Sequence, residues 1–183
     1  MQLQLIDQLA PSVLPPADDV SVVLSPRMQQ LHDYWQAKRG RRTMPARRDI
    51  DPAEIKALLP HVIIADLFDA PLRIRYRLAG TRVCESFGFN IAGCWLHELD
   101  VTSDVAFWTA QYERMMVSQS PVYGRTTGTE GTIELFRAGW ALFPLSNDGT
   151  RVDQCLEIED WTKGRPTARF DDSAIDWRAV AFA

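Results

Sequence analysis

The sequence has few cysteines, no long apolar run and no excess of positive charge, and each absence excludes a class of protein. Its three cysteines form no CxxC pair, so neither a disulfide framework nor a zinc site is predicted. No apolar run approaches the ~20 residues of a membrane span, and the first residues lack the pattern of a signal peptide. The net charge of −4 disfavours a broad nucleic-acid surface. We therefore expect a cytoplasmic protein that neither enters a membrane nor binds nucleic acid.

What is present is enough apolar sequence for one core. Of the 183 residues, 46% are hydrophobic, and the charged fraction of 24% is ordinary for a globular chain. Prolines 11, 15 and 16 interrupt any regular pattern near the start of the chain. The pattern predicts four parts: a flexible leader (1–24), an N-terminal helical cap (25–60), a core (61–160) and a C-terminal tail (161–183).

The cap begins with a helix that carries one apolar face. Ser25 can cap it, and Met28, Leu31 and Trp35 recur at helical spacing before Gly40 ends it. A second, shorter helix is predicted after Asp51, between Pro52 and Pro60, because aspartate is a good N-cap and proline suits the first helical position.

The core reads as strands grouped around a helical middle. Strands are predicted at 61–68, 72–79, 122–127, 132–145 and 151–160, with helices starting at 81 and at 103. In the second strand Leu72, Ile74, Tyr76 and Leu78 alternate with arginines, as in a sheet with one buried face. This order predicts an α+β fold with one antiparallel sheet, and the helices of 81–118 cover its apolar face.

A set of ordered motifs resembles the family of short stand-alone bacterial PAS-domain proteins. The set runs YW (34–35), RG (39–40), MPAR (44–47), DIDP (49–52), LP (59–60), RYRLAGT (75–81) and PLS (144–146). The resemblance implies a PAS fold, a five-stranded antiparallel sheet with helices over one face, used for sensing and protein–protein contact. It also implies that residues 44–60 dock the cap onto the core. The chain departs from the family at Trp140, where relatives often carry an acidic residue.

Aromatic side chains of the core are candidates for lining a pocket between helices and sheet. A small apolar or aromatic ligand would suit such a lining, and a filled core would use the same side chains, so the two readings stay open. The ligand-pocket candidates are Tyr76, Phe87, Trp95, Phe107, Trp108, Tyr112 and Tyr123, with Arg125 as a polar contact.

The sequence does not identify a cofactor, but it bears on two that PAS domains use. In haem-binding PAS domains the iron ligand typically lies on the long helix, but residues 103–118 contain no histidine, and His97 lies outside them. The region around Cys94 does not match the motif of covalent flavin photosensors. Haem and covalent flavin are therefore disfavoured.

The cap offers two possible contacts. Its basic cluster, residues 38–48, is expected to be mostly solvated, with Arg47 ordered by Asp49 or Asp51. The face of Met28, Leu31 and Trp35 is favoured as the seam of a homodimer, the alternative being that it folds back onto its own core.

These features favour a non-enzymatic PAS sensor or adaptor that binds a small ligand or a protein partner. One alternative is a purely structural dimeric interaction module with a filled core. Another is a small α+β enzyme with a cone-shaped pocket, for which Glu134 and Asp153 are the carboxylates considered. Two close, buried carboxylates would favour the enzyme.

Overall fold

A computed structural model describes residues 9–13, 24–99, 105–130 and 133–163. The strands are β1 (Leu9–Val13), β2 (Val62–Phe68), β3 (Arg73–Ala79), β4 (Val122–Glu130), β5 (Ile133–Leu145) and β6 (Gln154–Lys163). The α-helices are α1 (Pro26–Arg39), α2 (Thr81–Phe87) and α3 (Val105–Ser118). No helix in these ranges is long and apolar enough to cross a membrane.

One antiparallel sheet holds all the strands in the order β1-β4-β5-β6-β2-β3. Strands β2 to β6 form the predicted five-stranded PAS-like sheet, and the α+β class is confirmed. Strand β1 adds a sixth strand at the edge by pairing with β4, from Leu9 opposite Gly128 to Val13 opposite Gly124. Part of the stretch predicted to be a flexible leader is therefore a strand, because the free edge of β4 offers backbone groups for pairing.

Helix α1 packs on one face of the sheet. Trp35 donates from Nε1 to the carbonyl oxygen of Pro144 at 2.9 Å and stacks near Phe143, with 6.1 Å between ring centroids. Met28, Leu31 and Trp35 are all buried in this contact. Their face is therefore not available as the predicted dimer seam. The helix instead folds back onto its own core, the alternative left open by the sequence.

The lead-in of residues 44–60 ties α1 to the sheet without forming the predicted short α-helix. It contains 3₁₀ turns at Arg47–Asp49, Pro52–Ile55 and Leu59–His61, in place of one helix. Hydrogen bonds of the i→i+3 type, such as Leu58 N–H to Ile55 C=O and His61 N–H to Leu58 C=O, form in place of α-helical bonds. Asp51 acts as the predicted cap by accepting from the Ala53 N–H at 2.8 Å.

Helices α2 and α3 cover the other face of the sheet. Tyr112 and Met115 of α3 are buried against it. Since α1 covers the first face, the central strand β6 is buried on both sides, and every residue from Gln154 to Asp160 is buried. Strand β6 consequently has no solvent face along this stretch.

The close approach between the lead-in and the start of α2 requires a glycine. A Cβ atom added at Gly80 would lie 2.2 Å from the carbonyl oxygen of Leu59 and 2.4 Å from that of Pro60. These are backbone atoms, so relieving the overlap means shifting the chain. Gly80 is also the N-cap of α2.

We expect Gly80→Ala to lower the free energy of unfolding by about 1–3 kcal/mol or more, because it overpacks a backbone contact. The matched control is Gly139→Ala, whose new Cβ would meet only the flexible thioether of Met28, at 2.7 Å from Sδ. Urea unfolding of both variants measures the difference. Equal loss in the two variants would contradict this account of Gly80.

Candidate functional site

A cluster of polar side chains lies buried between β6 and α3. Side chains alternate along a strand, so Cys155, Glu157 and Glu159 leave β6 on the α3 face, whereas Asp160 points to α1 and pairs with Arg27. Glu157 is 3% exposed and Glu159 8%. Two carboxyl groups two residues apart on one strand face therefore lie inside the protein, and we call them the Glu157–Glu159 pair.

Tyrosine hydroxyls surround the inner end of the pair. The Tyr112 hydroxyl of α3 donates to Glu157 Oε2 at 2.6 Å in a buried hydrogen bond. The hydroxyl of Tyr76, on β3, lies close to that of Tyr112. Burial raises the pKa of both tyrosines well above the usual value, and the charge of Glu157 raises each pKa further. Both phenols therefore act as hydrogen-bond donors rather than as bases.

Tryptophan rings border the other end of the pair. Trp140 on β5 lies directly opposite Glu159 in the strand register, and Gly124 on β4 lies directly opposite Trp140. A Cβ at Gly124 would come within 1.9 Å of the indole, so the glycine gives the ring its space. Trp108 and Phe107 of α3 pack edge-to-face on Trp140, with centroid distances of 5.0 and 6.1 Å.

Burial controls the protonation of the pair. Burial raises the pKa of Glu157 to about 8, with a further contribution from the nearby Glu159 and a smaller opposing one from the Tyr112 hydrogen bond. Burial likewise raises the pKa of Glu159 to about 7, and a hydrogen bond with Trp161 opposes it. The pair therefore changes its charge near neutral pH, far above the usual range of a glutamate.

Some polar atoms of this region lack a protein partner in the part of the chain that the structure describes. They are Glu159 Oε2, Trp140 Nε1 and Gln111 Oε1. An unpaired buried polar group costs about 1–3 kcal/mol, which is why cores rarely keep several. No group of His, Cys, Asp and Glu side chains that could hold a metal ion occurs among the described residues. The unpaired atoms include an indole N–H donor, which an acceptor atom of an organic molecule satisfies and a metal ion does not.

The structure brings four of the predicted pocket residues together around the Glu157–Glu159 pair: Tyr76, Phe107, Trp108 and Tyr112. Phe87 ends α2 and packs, half-buried, against the same core.

Three other candidates lie elsewhere. Tyr123 is on the α1 face of the sheet, where its hydroxyl lies 2.5 Å from His32 Nδ1. Arg125 follows two residues later on the same face and is exposed. Trp95 lies beside the outer edge of β3, stacked under Arg73 and Arg75 at 5.0 and 5.8 Å. None of these three contacts the pair in the described structure, so we leave them out of the proposed site.

The basic cluster of the cap is used in local contacts. The Arg47 side chain donates to the carbonyl oxygen of Ile50 at 3.2 Å, a different partner from the expected Asp49 or Asp51. Arg42 instead pairs with Asp49 at 2.8 Å, and Lys38 pairs with Glu54 at 2.8 Å. These pairs hold the lead-in against α1.

Glu157, Glu159 and Trp140 were not among the site residues predicted from the sequence. The alternation of β6 places Leu156 and Ile158 on one face and Glu157 and Glu159 on the other, a pattern typical of a sheet with one solvent-exposed face. The position of the strand indicates their burial. Strand β6 pairs with the apolar β5, and a strand in the core exposes few side chains to solvent. Of the carboxylates considered earlier, Asp153 lies at the β5–β6 turn and accepts from the Asn147 N–H. The side chain of Glu134 lies outside the described residues.

A comparison with protein families agrees with this architecture. A PAS-domain family model matches residues 23–156, and the chain belongs to the PAS-domain family. PAS domains act as sensory and signalling modules. No curated protein and no solved structure matches the chain.

The buried pair predicts an unusual pH dependence of stability. Each folded pKa is higher than the ordinary 4.5, so the folded state holds protons that the unfolded chain releases. The contribution of these two groups to the free energy of unfolding is greatest at pH values below their ordinary pKa. It declines as the pH rises toward about 8. We expect the free energy of unfolding to fall between about pH 5 and 8, with a slope of up to about 1.4 kcal/mol per pH unit per group.

The isosteric double variant Glu157→Gln/Glu159→Gln is uncharged and should lose most of this slope. Urea unfolding across the same pH range, with the exposed Glu113→Gln of α3 as control, measures it. A wild-type slope that survives in the double variant would contradict the assignment.

Proposed function

We propose that this protein is a non-enzymatic sensory PAS module that binds a small molecule at the Glu157–Glu159 pair and signals through contact with another protein. The single observation that carries the proposal is the pair of buried polar atoms, Glu159 Oε2 and Trp140 Nε1, that lie on neighbouring strand positions without a partner among the described residues. A core that served packing alone would be more stable with apolar side chains there. A bound ligand that forms hydrogen bonds with these atoms would offset the cost of burying them.

Four of the predicted pocket residues support the same location. Trp108 and Phe107 form an aromatic wall on α3, and Tyr76 and Tyr112 supply hydroxyl groups at the other end. Binding sites for small molecules typically combine an apolar aromatic lining with a few convergent polar groups. Phe107 and Trp108 are only half-buried, so their end of α3 is the side from which a ligand would enter.

Strand β6 offers a route from the ligand to the surface of the protein. Glu159 faces α3, and its neighbour Asp160 faces α1, where it accepts from Arg27 at 2.7 Å. A change in the position of Glu159 would therefore shift the contact that holds the first turn of α1. We propose that ligand binding selects between two packings of α1 and that a partner protein reads the difference.

A small enzyme is the second candidate function, and the pair itself favours it. An acid–base mechanism needs two nearby carboxyl groups whose pKa values lie close to the working pH, and the values of about 8 and about 7 meet that condition. The sensor is preferred because Tyr112 already occupies Glu157 and because α3 closes over the pair. An enzyme would change the bound molecule, whereas a sensor would release it intact.

Native mass spectrometry of the full chain, purified from cells, tests the proposal. We expect a noncovalent adduct of small mass on the wild-type protein and a weaker or absent adduct on Glu159→Gln, because that variant changes the unpaired carboxylate. Glu113→Gln, an exposed change on α3, should keep the adduct.

A bare protein mass in all three, together with no thermal stabilisation by a library of metabolites, would overturn the ligand-binding function and leave a filled interaction module. Recovery of the adduct molecule in a chemically altered form after incubation would favour the enzyme.

A further inference from the structure

The Glu157–Glu159 pair has no cationic partner in the described protein, and this points to the charge of the molecule that it binds. We infer that the pair, with the rings of Trp108 and Trp140, recognises a small organic cation, an ammonium or guanidinium group. The inference rests on the proposed function and specifies its ligand class.

Other carboxylates of the same sheet form salt bridges with arginine side chains. On the α1 face Asp160 pairs with Arg27 at 2.7 Å, and Asp66 on β2 pairs with Arg77 at 3.0 Å. In contrast, no Lys, Arg or His of the described residues is among the groups that shift the pKa of Glu157 or Glu159. Because a buried carboxylate needs a cation or several donors to stay ionised, a cation is the chemical complement that this face lacks.

An aromatic ring lies next to the carboxyl group that would bind such a cation. Trp140 and Glu159 are direct cross-strand neighbours, so the indole and the carboxyl group leave the sheet side by side. Trp108 packs on Trp140, with 5.0 Å between ring centroids and an interplanar angle of 62°, so the indole beside the carboxyl group is joined by a second indole from α3. Tryptophan is the best aromatic partner of ammonium and guanidinium groups, through the negative face of its ring.

The unpaired atoms have the matching hydrogen-bonding character. Glu159 Oε2 and Gln111 Oε1 are acceptors on side chains that are 8% and 7% exposed. An ammonium group carries three donors and a guanidinium group five, and neither carries an acceptor. Nε1 of the 1% exposed Trp140 is a donor without a partner among the described residues, and it fits a ligand that also carries a hydroxyl or carbonyl group.

Titration of the pair adds a signature by which binding can be recognised. The other titratable groups facing it in the described structure are Tyr76, Tyr112 and Cys155, whose pKa values all lie well above the usual ones. These three are neutral near pH 7, so the pair alone gains or loses a proton there. A bound cation stabilises the ionised carboxyl groups, so binding releases protons and strengthens as the pH rises toward about 8.

The test uses amines as probes on the full-length protein. The probes are benzylamine, ethanolamine and methylguanidine, which stay charged below about pH 8.5 because such groups resemble the side chains of Lys and Arg. Benzyl alcohol is the uncharged analogue of benzylamine. Isothermal titration calorimetry, run in two buffers of different ionisation enthalpy, measures affinity and proton release together.

We expect at least one cationic probe to bind, benzylamine to bind at least about 10-fold more tightly than benzyl alcohol, and affinity to rise from about pH 6 to about pH 8 with release of protons. Glu159→Gln should weaken cation binding at least about 10-fold without loss of folding, since the amide is isosteric and uncharged. Glu113→Gln should bind like the wild type.

Equal affinity for benzylamine and benzyl alcohol, no effect of Glu159→Gln, or no binding of any cationic probe would overturn the inference. The proposed function would survive these results if native mass spectrometry still found a neutral or anionic molecule whose retention depends on Glu159. It would fail separately if no molecule of any charge were retained.

Discussion

The fold depends on one constraint, the burial of β6 on both of its faces. Helix α1 covers one face of the sheet and α3 covers the other, so the central strand has no side left for water. Apolar side chains satisfy this constraint on the α1 face, where Leu156 and Ile158 are fully buried. On the α3 face the strand instead carries Cys155, Glu157 and Glu159. The candidate site exists because a core position that favours apolar residues holds carboxyl groups.

The polar cluster and the aromatic wall form one unit. Gly124 leaves room for the indole of Trp140, Trp140 lies beside Glu159, and Trp108 of α3 packs on Trp140. At the other end Tyr112 donates a hydrogen bond to Glu157, whereas Glu159 Oε2 has no partner in the described part of the chain. The site is therefore asymmetric, with one anchored carboxyl group and one available carboxyl group. Such an arrangement holds the local structure in place while it leaves one group to bind a ligand.

The fold was predictable from the sequence because its signals are local. Alternation in RIRYRLA, the helical spacing of Met28, Leu31 and Trp35, and the ordered PAS motifs each report on a few neighbouring residues. The site was only partly predictable, because it depends on which layer covers which face. The glutamates of β6 look solvent-exposed if one face of the sheet is wet, and only the docking of α1 removes that possibility. Tyr123 was assigned to the pocket for the same reason, since nothing local distinguishes the two buried faces.

Adjacent acidic residues of β6 have opposite surroundings, and this limits how the strand can pair. A slip of one residue along β5 and β2 would turn Asp160 toward the tryptophans and Glu159 toward Arg27, and it would also bring Leu156 and Ile158 to the other side. The ion pair of Arg27 with Asp160, at 2.7 Å, forms only in the observed alignment. The salt bridge between the first turn of α1 and the sheet thus stabilises the observed register of the central strand. The cap thereby favours the alignment in which Glu157 and Glu159, and not Asp160, lie on the α3 face.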